Sequence, residues 1–173
     1  RIAEQDSLQG KAKGETIAYD RDLNLTDQLF RYGVRINTDL IMDLQCDLIP
    51  IVVGGTLENP QMEFLHWNYF PFLVSSDNKV SKNIGYVAGR FVNSIDTIEV
   101  AGIKKTPLLV TSPNSRIIST PALISLNENK NVPQDIKFNR NGIPAAVLLE
   151  GKFTSLFRNK LGKNILDSLN QAN

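Results

Sequence analysis

Residues 25–46, Leu-Thr-Asp-Gln-Leu-Phe-Arg-Tyr-Gly-Val-Arg-Ile-Asn-Thr-Asp-Leu-Ile-Met-Asp-Leu-Gln-Cys, read as a short helix, a glycine stop and an extended segment. Asn24 is placed to cap the helix, because its side-chain oxygen can accept a bond from a free N–H of the first turn. Asp27 lies in that turn, where the helix dipole favours a negative charge. Leu25, Leu29 and Tyr32 fall at i, i+4 and i+7, one apolar stripe expected to pack on a sheet. Gly33 can end the helix in the left-handed conformation. Val34 and Ile36 then alternate with Arg35 and Asn37, and Leu40, Ile41, Met42 and Leu44 continue as a half-buried strand.

Outward from this unit, extended segments dominate. Residues 48–53 are an apolar run containing Pro50, which suits an edge strand or a strand start; Gly54-Gly55 closes it as a turn. Residues 64–72 hold Phe64, Trp67, Tyr69, Phe70 and Phe72. Pro71 argues against a long helix there, and a short strand is expected over 70–75. Residues 95–100 and 107–111 are further strand candidates. The run Ala145-Ala146-Val147-Leu148-Leu149 is the clearest, since continuous apolar sequence suits a central strand buried on both faces. Residues 1–22 and 127–142 are polar and read as loops, and a helix is expected over 155–166, weakened by Gly162. Strand pairs with few helices between them predict an α/β domain with a mixed β-sheet and flanking helices.

Composition narrows the function. The 173 residues suit a single soluble domain with a sizeable core, and 42% hydrophobic and 21% charged residues are ordinary for a globular chain. A net charge of +1 gives no field for nucleic acid, so no nucleic-acid partner is expected. A spanning helix needs about 20 mostly apolar residues. The longest stretch free of Asp, Glu, Lys and Arg, residues 64–76, is interrupted by His66, Asn68 and Pro71. The chain opens on Arg1 without a signal peptide, and is read as a piece of a longer protein.

Chemical equipment is sparse. With one histidine, His66, and one cysteine, Cys46, a His/Cys metal site is not expected. A Cys46/His66 hydrolase would require the two side chains to meet in space. The plainer reading makes Cys46 a small buried apolar group and His66 a packed or surface ring. Phosphate-loop and dinucleotide glycine patterns are missing, and no cofactor is called for. The polar residues after the 107–111 strand candidate, Ser112, Asn114 and Arg116 above all, are the candidate ligand-binding group, since ligands of open α/β sheets bind at carboxyl ends of strands. Hydrogen-bonding in a Ser-Pro-Asn-Ser turn explains the same residues.

Six stretches carry a resemblance: 29–37 (Leu-Phe-Arg-Tyr-Gly-Val-Arg-Ile-Asn), 43–46 (Asp-Leu-Gln-Cys), 67–71 (Trp-Asn-Tyr-Phe-Pro), 93–98 (Asn-Ser-Ile-Asp-Thr-Ile), 104–109 (Lys-Lys-Thr-Pro-Leu-Leu) and 144–153 (Pro-Ala-Ala-Val-Leu-Leu-Glu-Gly-Lys-Phe). From about residue 16 to 158 the chain resembles the extracytoplasmic part of the ABC-type transport auxiliary family, in particular its gliding-associated, GldG-type members. The resemblance implies a non-enzymatic auxiliary, substrate-binding component, membrane-anchored in the full-length protein. It would sit at the inner membrane with this domain facing the periplasm, beside an ABC permease and an ATP-binding subunit, in bacteria of the Bacteroidetes type. A small-molecule or glycan binding domain is the alternative. The fold it implies is a glutamine-amidotransferase-like, flavodoxin-like domain. Its first strands would precede Arg1, leaving the sheet incomplete or completed by a homodimer.

Overall fold

A computed structural model describes residues 14–21, 23–126 and 135–155. Its one α-helix among these, α1 (Thr26–Arg31), is six residues long. Eleven strands make up most of the rest. In chain order they are β1 (Glu15–Ala18), β2 (Val34–Ile36), β3 (Asp39–Asp43), β4 (Cys46–Gly55), β5 (Pro60–Ser75) and β6 (Val87–Ala88), then β7 (Ile95–Thr97), β8 (Ile103–Val110), β9 (Ser115–Ser119), β10 (Ala122–Ser125) and β11 (Pro144–Gly151). A 3-10 turn, Asp135–Lys137, lies before β11.

Every strand pairing is antiparallel. One sheet has the order β11-β8-β5-β4, with β6 also beside β5. Three two-stranded ribbons surround it: β1 with β10, β2 with β7, and β3 with β9. The expected α/β, flavodoxin-like architecture is therefore corrected to a mostly antiparallel β fold. The physical reason is in the helix: fewer than two turns cannot cover a sheet face, and α1 buries no residue. Its stripe stays shallow, with Leu25 exposed and Leu29 and Tyr32 half-buried.

Local details divide the same way. The cap position belongs to Leu25, not Asn24, and makes no side-chain bond; Asn24 precedes it with φ 55°. Gly33 does end the helix, at φ 85°. A Cβ there would sit 2.8 Å from the Ile98 carbonyl oxygen, whose residue donates its N–H to Gly33 O at 2.8 Å. The run 145–149 does form a strand, β11, but at the edge of its sheet and not its centre, half-buried along Pro144–Leu149. Pro50 lies in edge strand β4 as its missing N–H suggests. The polar start of the chain contains strand β1, where a loop was expected. The helix expected over 155–166 and the loop at 127–134 lie outside the described residues, apart from Ser155.

β5 organises the molecule. At sixteen residues it pairs with β4 from Pro60 to His66 and again at Pro71 past an irregularity, with β6 at Phe72 and Leu73, and with β8 at Val74 and Ser75. Its middle crosses the core. Trp67 and Tyr69 are wholly buried, and Trp67 packs edge-on against Phe70 at 5.0 Å, Tyr69 at 5.4 Å and Phe91 at 5.5 Å. Ala18, Leu40, Met42, Ile49, Ile124 and Phe138 complete this cluster.

The first half of β5 leaves the core as a ribbon with β4. Period-2 geometry sends alternate cross-strand pairs to opposite faces. Ile49–Leu65 and Ile51 turn inward onto the core. The pairs Leu48–His66, Pro50–Phe64 and Val52–Met62 turn outward. Leu48, Val52, Met62 and Phe64 are all exposed, Phe64 at 66%, and Leu57 at the turn is fully exposed.

Candidate functional site

The turn from β8 to β9 holds Ser112 and Asn114, and β9 itself holds Arg116; the structure sends the three candidate ligand residues in different directions. Ser112 points inward. Its backbone N–H donates to Asp43 Oδ2 at 2.8 Å and its hydroxyl to Asp43 Oδ1 at 2.6 Å, while Gln45 N–H donates to the same Oδ1 at 2.8 Å. The Ser112 hydroxyl also accepts from Asn114 N–H at 3.0 Å. Thr111 and Ser115 hydroxyls pair at 2.8 Å, Ser115 donates to Arg140 O and Thr111 accepts from Ile143 N–H. This knot ties the β3–β4 turn to the β8–β9 turn. Burial pushes the Asp43 carboxyl above its ordinary value, against the pull of its hydrogen bonds. Asn114 is exposed, and Arg116 lays its guanidinium 5.0 Å above the Phe138 ring.

Cys46 and His66 approach, but through the wrong atoms for nucleophile activation. The imidazole Nδ1 lies 3.3 Å from the Cys46 carbonyl oxygen. The thiol is directed at Asn68 Oδ1, 3.4 Å away. Burial first, then the Asp43 and Asp47 charges, raises its pKa to about 11. A reactive thiol needs the opposite shift, toward thiolate at neutral pH.

An open cleft of about 600 Å³ lies between α1, the chain before it and the start of β3. Leu23, Leu25 and Leu29 form an apolar wall, with Asn37, Arg90 and Asn93 among the polar lining. The floor is fixed by Asp39, which accepts from Ser94 N–H at 2.8 Å and from the Ser94 hydroxyl. Asn37 donates to the same hydroxyl and accepts from Arg35 Nε, each at 2.9 Å. Arg35 also meets Asp96 at 2.7 Å, and that hydrogen bond holds the Asp96 carboxyl below its ordinary value. A second cavity, of about 540 Å³, lies on the other side of Arg35 against Phe30 and Ile95. Ser112, Asn114 and Arg116 line neither cavity.

Sequence reasoning passed over two features. Asp39 and Asp43 flank β3 as buried anchors, and their signal was a carboxylate at each end of an apolar run followed by a turn. The β4 side of the outward ribbon face was hidden because β4 is apolar on both alternating sets, which reads as burial. Among the described residues no cluster of three or more His, Cys, Asp or Glu could hold a metal ion, and no helix is long and apolar enough to cross a membrane.

A family model described as an ABC-type uncharacterized transport system matches residues 2–172. No curated protein and no solved structure matches the chain.

Proposed function

The chain belongs to that ABC-type transport-system family, and from this premise we propose that it serves as a non-enzymatic auxiliary component of the transporter. Membership associates it with transporter components. The finer reading adds a permease and an ATP-binding subunit as direct partners, and a position at the periplasmic face of the inner membrane. The observation that carries the non-enzymatic part is the fate of the reactive groups. The thiol is buried, raised to about 11 and turned to Asn68. The buried carboxylates Asp39 and Asp43 are occupied by hydrogen bonds that hold turns together. Purification of the full-length protein in mild detergent tests the reading. Permease and ATPase subunits should come with it, and their absence would count against it. A narrower, gliding-associated role rests on the resemblance of the six stretches taken together; an unchanged spreading rate on agar after gene deletion would remove it.

The cleft favours a second reading, a small-molecule or glycan binding domain. Its volume lies in the range of ligand pockets. Apolar walls beside Asn37, Arg90 and Asn93 suit a sugar or peptide fragment. A thermal-shift screen against sugars, peptides and polysaccharide fragments tests it. A ligand whose stabilisation disappears in Asn93→Ala supports the cleft, whereas no shift with any compound rejects it.

A further inference from the structure

We propose that the outward face of the β4–β5 ribbon is the docking arm by which this chain holds a membrane subunit of its transporter, and that the subunit offers an apolar groove edged by Lys and Arg. The proposal rests on the auxiliary-component reading and adds the surface and the chemistry of its partner.

Three observations support it. The first is the run of exposed apolar groups along one face. Leu48, Val52, Met62 and Phe64 are 44%, 54%, 48% and 66% exposed, with Leu57 beyond them at the tip. Cross-strand pairing places Val52 beside Met62 and Pro50 beside Phe64, so the stripe is continuous. Single exposed apolar residues are ordinary, whereas a contiguous apolar face marks an interaction site.

The second is rigidity. A ribbon emerging from a core strand keeps its shape on binding, which reduces the ordering entropy lost there. The opposite face is seated through Ile49, Ile51 and Leu65. The turn is closed by reciprocal backbone bonds between Thr56 and Asn59, both 3.2 Å, and by Gly55 at φ 88°. A Cβ at Gly55 would lie 2.4 Å from Asn59 O, so the turn depends on glycine.

The third is charge, which decides between occupants. From Cys46 to Ser75 the chain carries Asp47, Glu58 and Glu63 and neither lysine nor arginine. Two arms laid together would set acid against acid. Backbone pairing of two β4 edges is also obstructed, because Pro50 lacks an N–H and the ladder is irregular between Val52 and Gly54. Anionic lipid would repel the same carboxylates. A protein groove with basic edges satisfies both the apolar stripe and the acids that adjoin it in sequence, Asp47 beside Leu48 and Glu58 beside Leu57 at the tip, while Glu63, opposite Ile51, lies on the other face.

The test uses the full-length protein in membranes that contain the transporter's own subunits. A photo-crosslinking amino acid at Leu57 or Met62 should join the arm to a membrane subunit, at a site with Lys or Arg nearby. Phe64→Glu should reduce recovery of that subunit by at least about tenfold, as expected for a central aromatic anchor. Glu58→Lys should reduce it less, and the loss should shrink at high salt. All these positions are exposed, and an unchanged melting temperature separates lost docking from misfolding. If wild-type protein recovers no subunit, the auxiliary reading and the arm fail together. If it recovers the subunit and Phe64→Glu does so equally well, only the arm is overturned. Crosslinks to a second copy, or Phe64-dependent flotation with phosphatidylethanolamine–phosphatidylglycerol vesicles, would also overturn it, in favour of self-association or membrane contact.

Discussion

Asp43 shows how a single carboxylate can look functional and serve structure. Both of its oxygens accept hydrogen bonds from the turns it joins. Asp43→Asn replaces one acceptor with an NH2 group facing donors, and should destabilise the protein by about 1–3 kcal/mol. The pH dependence has a definite sign. Because the folded carboxyl titrates above the ordinary 3.8, the unfolded chain ionises first as pH rises. Stability from this group is therefore present below that value and lost as pH climbs through the folded value. Asp96 acts in the opposite sense, since its lowered value gives stability above 3.8 that is lost as pH falls. Its exposure limits that contribution to less than about 1 kcal/mol. Urea melts upward from acid pH should show the deficit of Asp43→Asn narrowing. A constant deficit would contradict the direction of the Asp43 shift. Cys46→Ser and His66→Gln, compared at matched cellular abundance, should preserve transport-linked function. Loss of function in either with folding unchanged would overturn the non-enzymatic reading.

At the scale of elements, α1 and its glycine stop separate what the sequence encodes locally from what it does not. Gly33→Ala meets both a left-handed backbone and the Ile98 carbonyl, and should cost more than about 1 kcal/mol. Leu29→Ala should cost about 1 kcal/mol, because Leu29 is only half-buried. Denaturant melts of the two variants check the order. Gly33 was legible because its requirement is local. The stop, the strand after it and the edge position of Pro50 follow from backbone chemistry at single residues. The sheet was not legible, because antiparallel partners such as Glu15 and Ser125 or Asp39 and Ser119 are far apart in sequence and share no local signal. Residues 145–149 illustrate the ambiguity. A continuous apolar run suits a central strand, yet it also suits an edge strand half-buried on both faces. The polar 112–116 turn had the right composition for hydrogen bonding, and composition could not tell whether Ser112 would face solvent or Asp43.

At the scale of the whole molecule, two aromatics on one strand should behave as opposites. Trp67 is fully buried among Tyr69, Phe70 and Phe91, and Trp67→Ala should destabilise by about 3–5 kcal/mol. Phe64 lies three residues earlier on the open face, and Phe64→Ser should change stability by less than about 0.5 kcal/mol. Equal effects in chemical denaturation would refute the division of β5 into a core half and an arm half. The many long-range pairings also predict slow refolding, in about milliseconds to seconds for a β-dominated topology.

The length of β5 has a consequence for how readily its amides trade hydrogen for deuterium. Opening the ribbon tip breaks only a few bonds and exposes little apolar area, so amides near Gln61 should exchange through local fraying. The amides of Trp67, Tyr69 and Phe70 cannot be reached without unpacking the cluster around them, and should exchange only when the molecule unfolds as a whole. One uninterrupted strand would then span the range from the fastest-labelled structured amides to the slowest, with the step falling between Phe64 and Trp67, where the ribbon enters the core.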